Sequence, residues 1–261
     1  MTARLCVTVW LSLVVPAWCA AQDEPSPAPD MQVAPVGSRS VGLRLRVGIG
    51  VGTRAFVVPR AIGVQALDRS AFAVTDFELA LRFWRTQKIG CEVQIAYQTS
   101  VGWKLQQEPL FALPETIAAR AQRLDVSVAP VVHLGSARSD RRLTFPIGFG
   151  LRSFWPRPKQ SPIADFLLAG PYLRAELHLP LVAAVSLRIG PELQWLLLTK
   201  LRGTDAETGV AVGGTVALSS RLIGSTAFAI AYRASYASVT ASGSMLEDVE
   251  QYAAVQFQGE L

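Results

Sequence analysis

From Val41 the chain alternates strictly between apolar and non-apolar residues. One face reads Val41, Leu43, Leu45, Val47, Ile49 and Val51, and the other Gly42, Arg44, Arg46, Gly48, Gly50 and Gly52. A period of two puts successive side chains on opposite faces, so the spacing predicts a β-strand with one apolar face and one charged or glycine face. The period returns over roughly 71–85, 89–104, 117–134, 143–155, 166–179, 182–198, 209–219, 226–239 and 249–261. With 41–52 these are ten candidate strands, each close to or above the roughly 9–11 residues that cross a bilayer at barrel tilt.

The connections fall into two classes. Those at 86–88, 180–181 and 220–225 are short, and 135–142 is a modest polar run. Those at 105–115, 156–165, 199–208 and 241–248 are longer, and the first strand returns through a loop over 53–70. Short and long connections alternating around an even number of strands predict an all-β fold: a transmembrane antiparallel up-and-down barrel of about ten strands, within a range of 8–12, with both termini on the short-turn side. Aromatic residues gather at membrane interfaces. Trp103, Trp155, Trp195 and Tyr236 stand in the apolar phase near the long-loop ends of their strands, and Phe83, Phe145 and Phe257 near the short-turn ends, so all seven are expected to point outward as girdles.

Alternation alone does not distinguish a barrel that is apolar outside from one that is apolar inside. The composition of the other face does. It carries small residues in late strands, Ala211, Gly213, Ala217, Ala229 and Ala231 among them, and charges of both signs elsewhere. If that face met lipid, each arginine near the midplane would cost roughly 2–4 kcal/mol, and about five of them would cancel a typical total stability of about 5–15 kcal/mol. The expected lumen lining is therefore Arg44, Arg46, Glu78, Arg82, Glu92, Arg123, Asp125, Arg174, Glu176, Arg188, Glu192 and Arg233. Acids and bases converging in so narrow a barrel should pair and fill it. Pro130, Pro146, Pro171 and Pro191 each remove a ladder hydrogen bond, and bulges with one-residue phase slips are expected there.

Composition adds the location. Half of the 261 residues are hydrophobic and mean hydropathy is +0.30, yet after the first twenty residues no apolar run is long enough for a helical span. Residues 1–21 read as a cleaved signal peptide: Arg4, an apolar stretch over 5–17, and Cys19-Ala20-Ala21 before Gln22. Trp18 is too bulky for the small residue that precedes a lipidated cysteine. The proline-rich segment 22–40 has no periodicity and reads as a disordered periplasmic lead-in, which leaves 41–261 for the barrel. Cleavage removes Cys6 and Cys19, so Cys91 stays without a disulfide partner. It also removes Arg4, taking the basic count from 25 to 24 against 20 acids, a net of +4. The basic residues form no block, so nucleic acid is not an expected partner.

Candidate chemistry is sparse. The two histidines, His133 and His178, fall near the short-turn rim, away from outer-leaflet substrates. No catalytic residue is assigned. No His, Cys or carboxylate spacing suits a metal, no cofactor is implied, and Glu247 and Asp248 read as a solvated pair in an outer loop. The run Gly48-Ile49-Gly50-Val51-Gly52 precedes no helix, so it is a weak phosphate motif. Its glycines are expected to pack beneath arginines of neighbouring strands.

Over roughly 40–261 this pattern resembles the broad class of small bacterial outer-membrane β-barrel proteins. The resemblance implies residence in the outer membrane, contact with its lipid, insertion by the barrel assembly machinery, and outer loops as the place for any extracellular ligand. Members often end in an aromatic residue. Here the end is Phe257-Gln258-Gly259-Glu260-Leu261, with the alternation intact and leucine last. Three functions stand open: a structural or surface-interaction barrel acting through its outer loops; a narrow passive channel for small solutes, anions among them, whose ion selectivity a change at Arg188 should alter; and a soluble secreted barrel or surface lipid-modifying enzyme.

Overall fold

The structure, a computed structural model, describes residues 41–60, 63–86, 88–107, 115–135, 141–157, 165–182, 184–201, 204–205, 207–241 and 244–261. The expectations for the signal peptide, for Cys6 and Cys19 and for the lead-in lie outside these residues. Ten strands form the wall: β1 Val41–Arg60, β2 Gly63–Trp84, β3 Ile89–Val101 continued by Trp103–Gln107, β4 Glu115–His133, and β5 Arg142–Thr144 continued by Ile147–Arg157. The second half holds β6 Phe166–Arg174 continued by Glu176–Val182, β7 Val185–Leu196 continued by Leu198–Leu201, β8 Gly209–Arg221, β9 Thr226–Ala241 and β10 Ser244–Glu260. Each strand pairs antiparallel with its sequence neighbours, and β10 pairs with β1 from Arg44↔Glu260 to Val57↔Glu247. The sheet is thereby closed. At the seam Leu43 N donates to Leu261 O at 3.1 Å, and Leu261 N donates to Leu43 O at 2.8 Å.

Two expected loops are strand. Residues 53–60 and 63–70 are the arms of a hairpin that stays paired out to Arg60↔Gly63, and β9 with β10 pairs out to Ala241↔Ser244. The period of two fades from the sequence in these segments although backbone pairing continues, because a ladder of backbone hydrogen bonds does not itself require alternating side chains.

The prolines also behave differently from expectation. Pro130 sits opposite Cys91, Pro171 opposite Phe149 and Pro191 opposite Gly214 with the register unbroken on both sides. Pro146 and Pro191 coincide with short interruptions in β5 and β6, where Arg174 N donates to Pro146 O and Ala175 N to Pro191 O. The phase does not slip. It slips instead at Gly102: Thr99 faces Gln122 and Trp103 faces Ala119, so four steps on β3 match three on β4. This β-bulge holds Gly102 at φ +65°, a conformation that glycine adopts without strain. A second bulge precedes Leu198 on β7, where Gln194 faces Tyr172 and Leu198 faces Ala169.

The outer surface is a continuous apolar belt. Val47, Ile49, Leu79, Ile95, Val126, Phe149, Leu173, Val212, Ile230 and Phe257 are all exposed, Ile49 by 65%. Water would make such a surface an aggregation site, whereas lipid solvates it. No helix among the described residues is long and apolar enough to cross a membrane, so any crossing is made by strands. Replacing Val126, midway along β4, by arginine is expected to lower stability by roughly 2–4 kcal/mol. Denaturant unfolding in lipid vesicles measures this, and an unchanged midpoint would contradict a lipid-facing β4.

Candidate functional site

The described residues hold no group of side chains that could bind a metal, and the distinctive chemistry lies in the lumen, where inward side chains fill three levels. At the short-turn level, β1, β2 and β3 build a ladder. Arg44 donates to Glu78 at 3.0 Å and to Glu92 at 2.6 Å, Arg46 donates to Glu78, and Arg82 donates to Glu92 through two nitrogens at 2.9 and 2.7 Å. The register explains these partners. Arg46 lies opposite Glu78 and Arg82 opposite Glu92, while Arg44 lies opposite Ala80, which is small enough to let it reach both carboxylates.

At mid-height the network centres on Glu192 of β7. Its carboxylate accepts from Arg123 of β4, from Arg152 of β5 at 3.4 Å, from Arg174 of β6 at 2.8 and 3.1 Å, and from Arg233 of β9 at 2.7 Å. Asp125 shares Arg123 at 2.8 Å and Arg174 at 3.4 Å. Arg233 approaches across β8, whose inward residues here are Gly213, Thr215 and Ala217. Gln194 completes the level by donating to Gly150 O at 2.8 Å and accepting from Arg152 at 3.0 Å. A Cβ on Gly150 would lie 2.7 Å from that amide nitrogen, so a larger residue there would push the Gln194 amide aside.

Nearer the long-loop end the lumen turns apolar. Phe72 meets Trp103 with ring centres 4.6 Å apart, Trp103 meets Phe154 at 5.4 Å, and Phe154 stacks on Phe166 at 5.4 Å. Ile117, Leu168, Leu196, Ala211, Val239, Leu246 and Tyr252 join them in one cluster, so every strand except β1 contributes. From β1 comes Arg54, which grips Asp248 through two hydrogen bonds of 2.7 Å and lies 5.4 Å over the Phe166 ring. Asp248 is 1% exposed. A buried two-pronged pair of this kind is the geometry that best offsets desolvation.

No protein-family model matches the chain, and no curated protein matches it. Solved structures do. The chain is similar to the outer membrane protease OmpT from Escherichia coli at 8% identity, covering 85% of this chain and 96% of that one with a TM-score of 0.51. It also matches the translocator domain of the autotransporter NalP from Neisseria meningitidis at 8% identity, covering 98% of this chain and 97% of that one with a TM-score of 0.44. The fold is that of a bacterial outer-membrane β-barrel. The exposed apolar belt sits in the outer membrane.

Within this outer-membrane barrel Arg44, Arg46, Glu92, Arg123, Asp125, Arg174 and Glu192 are buried, and Glu78, Arg82, Glu176, Arg188 and Arg233 are half-buried on the same inward phase. Arg174 also pairs with Glu176 at 3.1 Å, and Arg188 lies close enough to Arg46 and Glu176 to interact with both. Trp155, Trp195, Tyr236, Phe83 and Phe257 are exposed on the outside, and Phe145 is half-buried at the interruption in β5. Trp103 departs from the girdle expectation. It is 1% exposed inside the apolar cluster because the Gly102 bulge inverts the phase of the residues that follow.

The Glu247–Asp248 pair divides too. Glu247 accepts from Tyr236 OH at 3.1 Å, while Asp248 is the buried partner of Arg54. Gly48 packs beneath Asp76 and Gln256, and Gly52 beneath Phe72 and Val74, so neither lies under an arginine. His133 stacks on Trp84 at 4.6 Å, and His178 shares a hydrogen bond of 2.8 Å with Ser186, both at the short-turn end. The lining omitted Arg54 and Asp248, which fell in expected loops, and Arg152, whose phase with Gly148, Gly150 and Phe154 is the signal that finds it. Glu192→Gln is expected to cost about 3–5 kcal/mol by leaving buried guanidinium groups without their shared anion. Urea unfolding of the refolded barrel checks this, and a change below about 1 kcal/mol would show that the node is not held by charge.

Proposed function

We propose that this outer-membrane barrel is closed to solutes and acts through its extracellular face, as a structural or surface-interaction protein. The observation that carries this reading is the apolar cluster drawn from nine strands, which meets in the middle of the bore above a charge network that is itself cross-linked from wall to wall. Inward side chains at that level are 0–4% exposed for Phe72, Trp103, Phe154, Phe166, Leu168 and Leu196, which leaves no water-wide path among them. A porin needs an inner surface that water reaches.

The narrow-channel alternative would need these aromatic rings to move apart. In our reading the chain is also not an enzyme, because its histidines make structural contacts at the periplasmic end and not at the outer rim. The assembly machinery is the partner that inserts the barrel, reading β10 with its outward Phe257. An extracellular ligand would meet the paired ends of β1, β2, β9 and β10.

In planar bilayers the purified barrel is expected to give no large, stable conductance steps. Steps of general-porin size would overturn the closed reading. Small anion-selective currents that Arg188→Glu reverses would establish the narrow channel in its place.

A further inference from the structure

The bulge at Gly102 that turns Trp103 into the lumen also turns Lys104 outward, where it is exposed. Lys104 faces Ala118 on β4, and two residues along, on the same outward face, stands the exposed Arg120. Diagonal neighbours on adjacent strands are within reach of long side chains. Toward the periplasm from Arg120 the outward residues of β4 are Gln122 and then the lipid-facing Leu124, Val126 and Val128. The two cations therefore stand at the outer margin of the belt, on the outside of the barrel.

Arg120 is held in place by neutral acceptors. Its Nε donates to Thr99 Oγ1 at 3.3 Å. Gln122, with its amide oxygen turned to its donors, accepts from Tyr97 OH at 2.6 Å and from Arg120 at 3.2 Å. Trp155 is directly opposite Arg120 on β5 and is 41% exposed, as suits an interfacial ring. Among the described residues neither Lys104 nor Arg120 has a carboxylate partner, whereas the inward arginines of the Glu192 node all do. A pair of cations, one of them held by neutral acceptors and neither with a carboxylate partner among the described residues, just beyond a lipid-solvated surface is complementary to a phosphate carried on a lipid.

We propose that Lys104 and Arg120 form a docking site for the phosphate groups of an outer-leaflet lipid whose acyl chains lie along the belt beside Leu124 and Trp155. The test uses the refolded full barrel in non-ionic detergent, with diphosphoryl lipid A and its dephosphorylated counterpart as probes and retained lipid counted by native mass spectrometry. Wild type is expected to retain the phosphorylated lipid at least about tenfold more strongly. The K104Q/R120Q variant is expected to lose about 30-fold in affinity, roughly fivefold per cation, with unchanged heat-modifiable gel migration. The charge-preserving K104R variant should keep the affinity. Equal retention of the two lipids, or unchanged retention by K104Q/R120Q, would overturn the proposal. Displacement of the lipid by millimolar inorganic phosphate would overturn it as well, since the site would then bind phosphate irrespective of the lipid.

Discussion

Closure of the sheet is the constraint on which the rest of this protein depends. The hydrocarbon core offers no water to an unpaired N–H or C=O, so a strand edge cannot be left open there. The ladder between β1 and β10, running from Arg44↔Glu260 to Val57↔Glu247, removes the last edge. Once closed, ten strands enclose a bore slightly wider than the eight-stranded case that ordinary side chains fill. Long inward residues are therefore needed to meet in the middle, and the lumen uses arginine and aromatic rings for that purpose. Small residues on β8, namely Ala211, Gly213 and Ala217, leave the space through which Arg233 reaches Glu192.

Filling a bore with charge works only if the charges are shared. The four arginines around Glu192 exceed the two carboxylates of that node, Glu192 and Asp125, and the surplus is spread over Gln194, Ser235 and Glu176 through further hydrogen bonds. Replacing such a network by apolar packing is often neutral or stabilising, and the outer third of the lumen uses apolar packing. The two solutions adjoin in one barrel. The charged part ties the walls together by directional bonds, and the apolar part excludes water by close contact.

One backbone irregularity links inside and outside. The extra residue at Gly102 inverts the phase of the segment after it. Trp103 thereby joins Phe72 and Phe154 in the lumen, and Lys104 joins Arg120 at the lipid margin. Without that inversion the tryptophan would face lipid and the lysine would enter an apolar cluster, where a charge is costly.

The sequence by itself determined the strand period, the closed ten-stranded class, the lipid-facing set such as Val47, Ile49 and Val126, and most of the inward charges. All of these follow from the two-residue repeat, a local property of extended backbone that the two solvents of a membrane barrel impose on each crossing. Only the tertiary structure decided which charges meet. Glu192 lies between 18 and 69 residues from the arginines it binds, and Arg54 is 194 residues from Asp248. It also decided where the repeat is broken and where strands outlast it. A bulge is a mismatch between two strands, visible only when both are paired, and the arms that continue beyond Thr53 carry no two-residue repeat, so only their backbone pairing reveals them as strand.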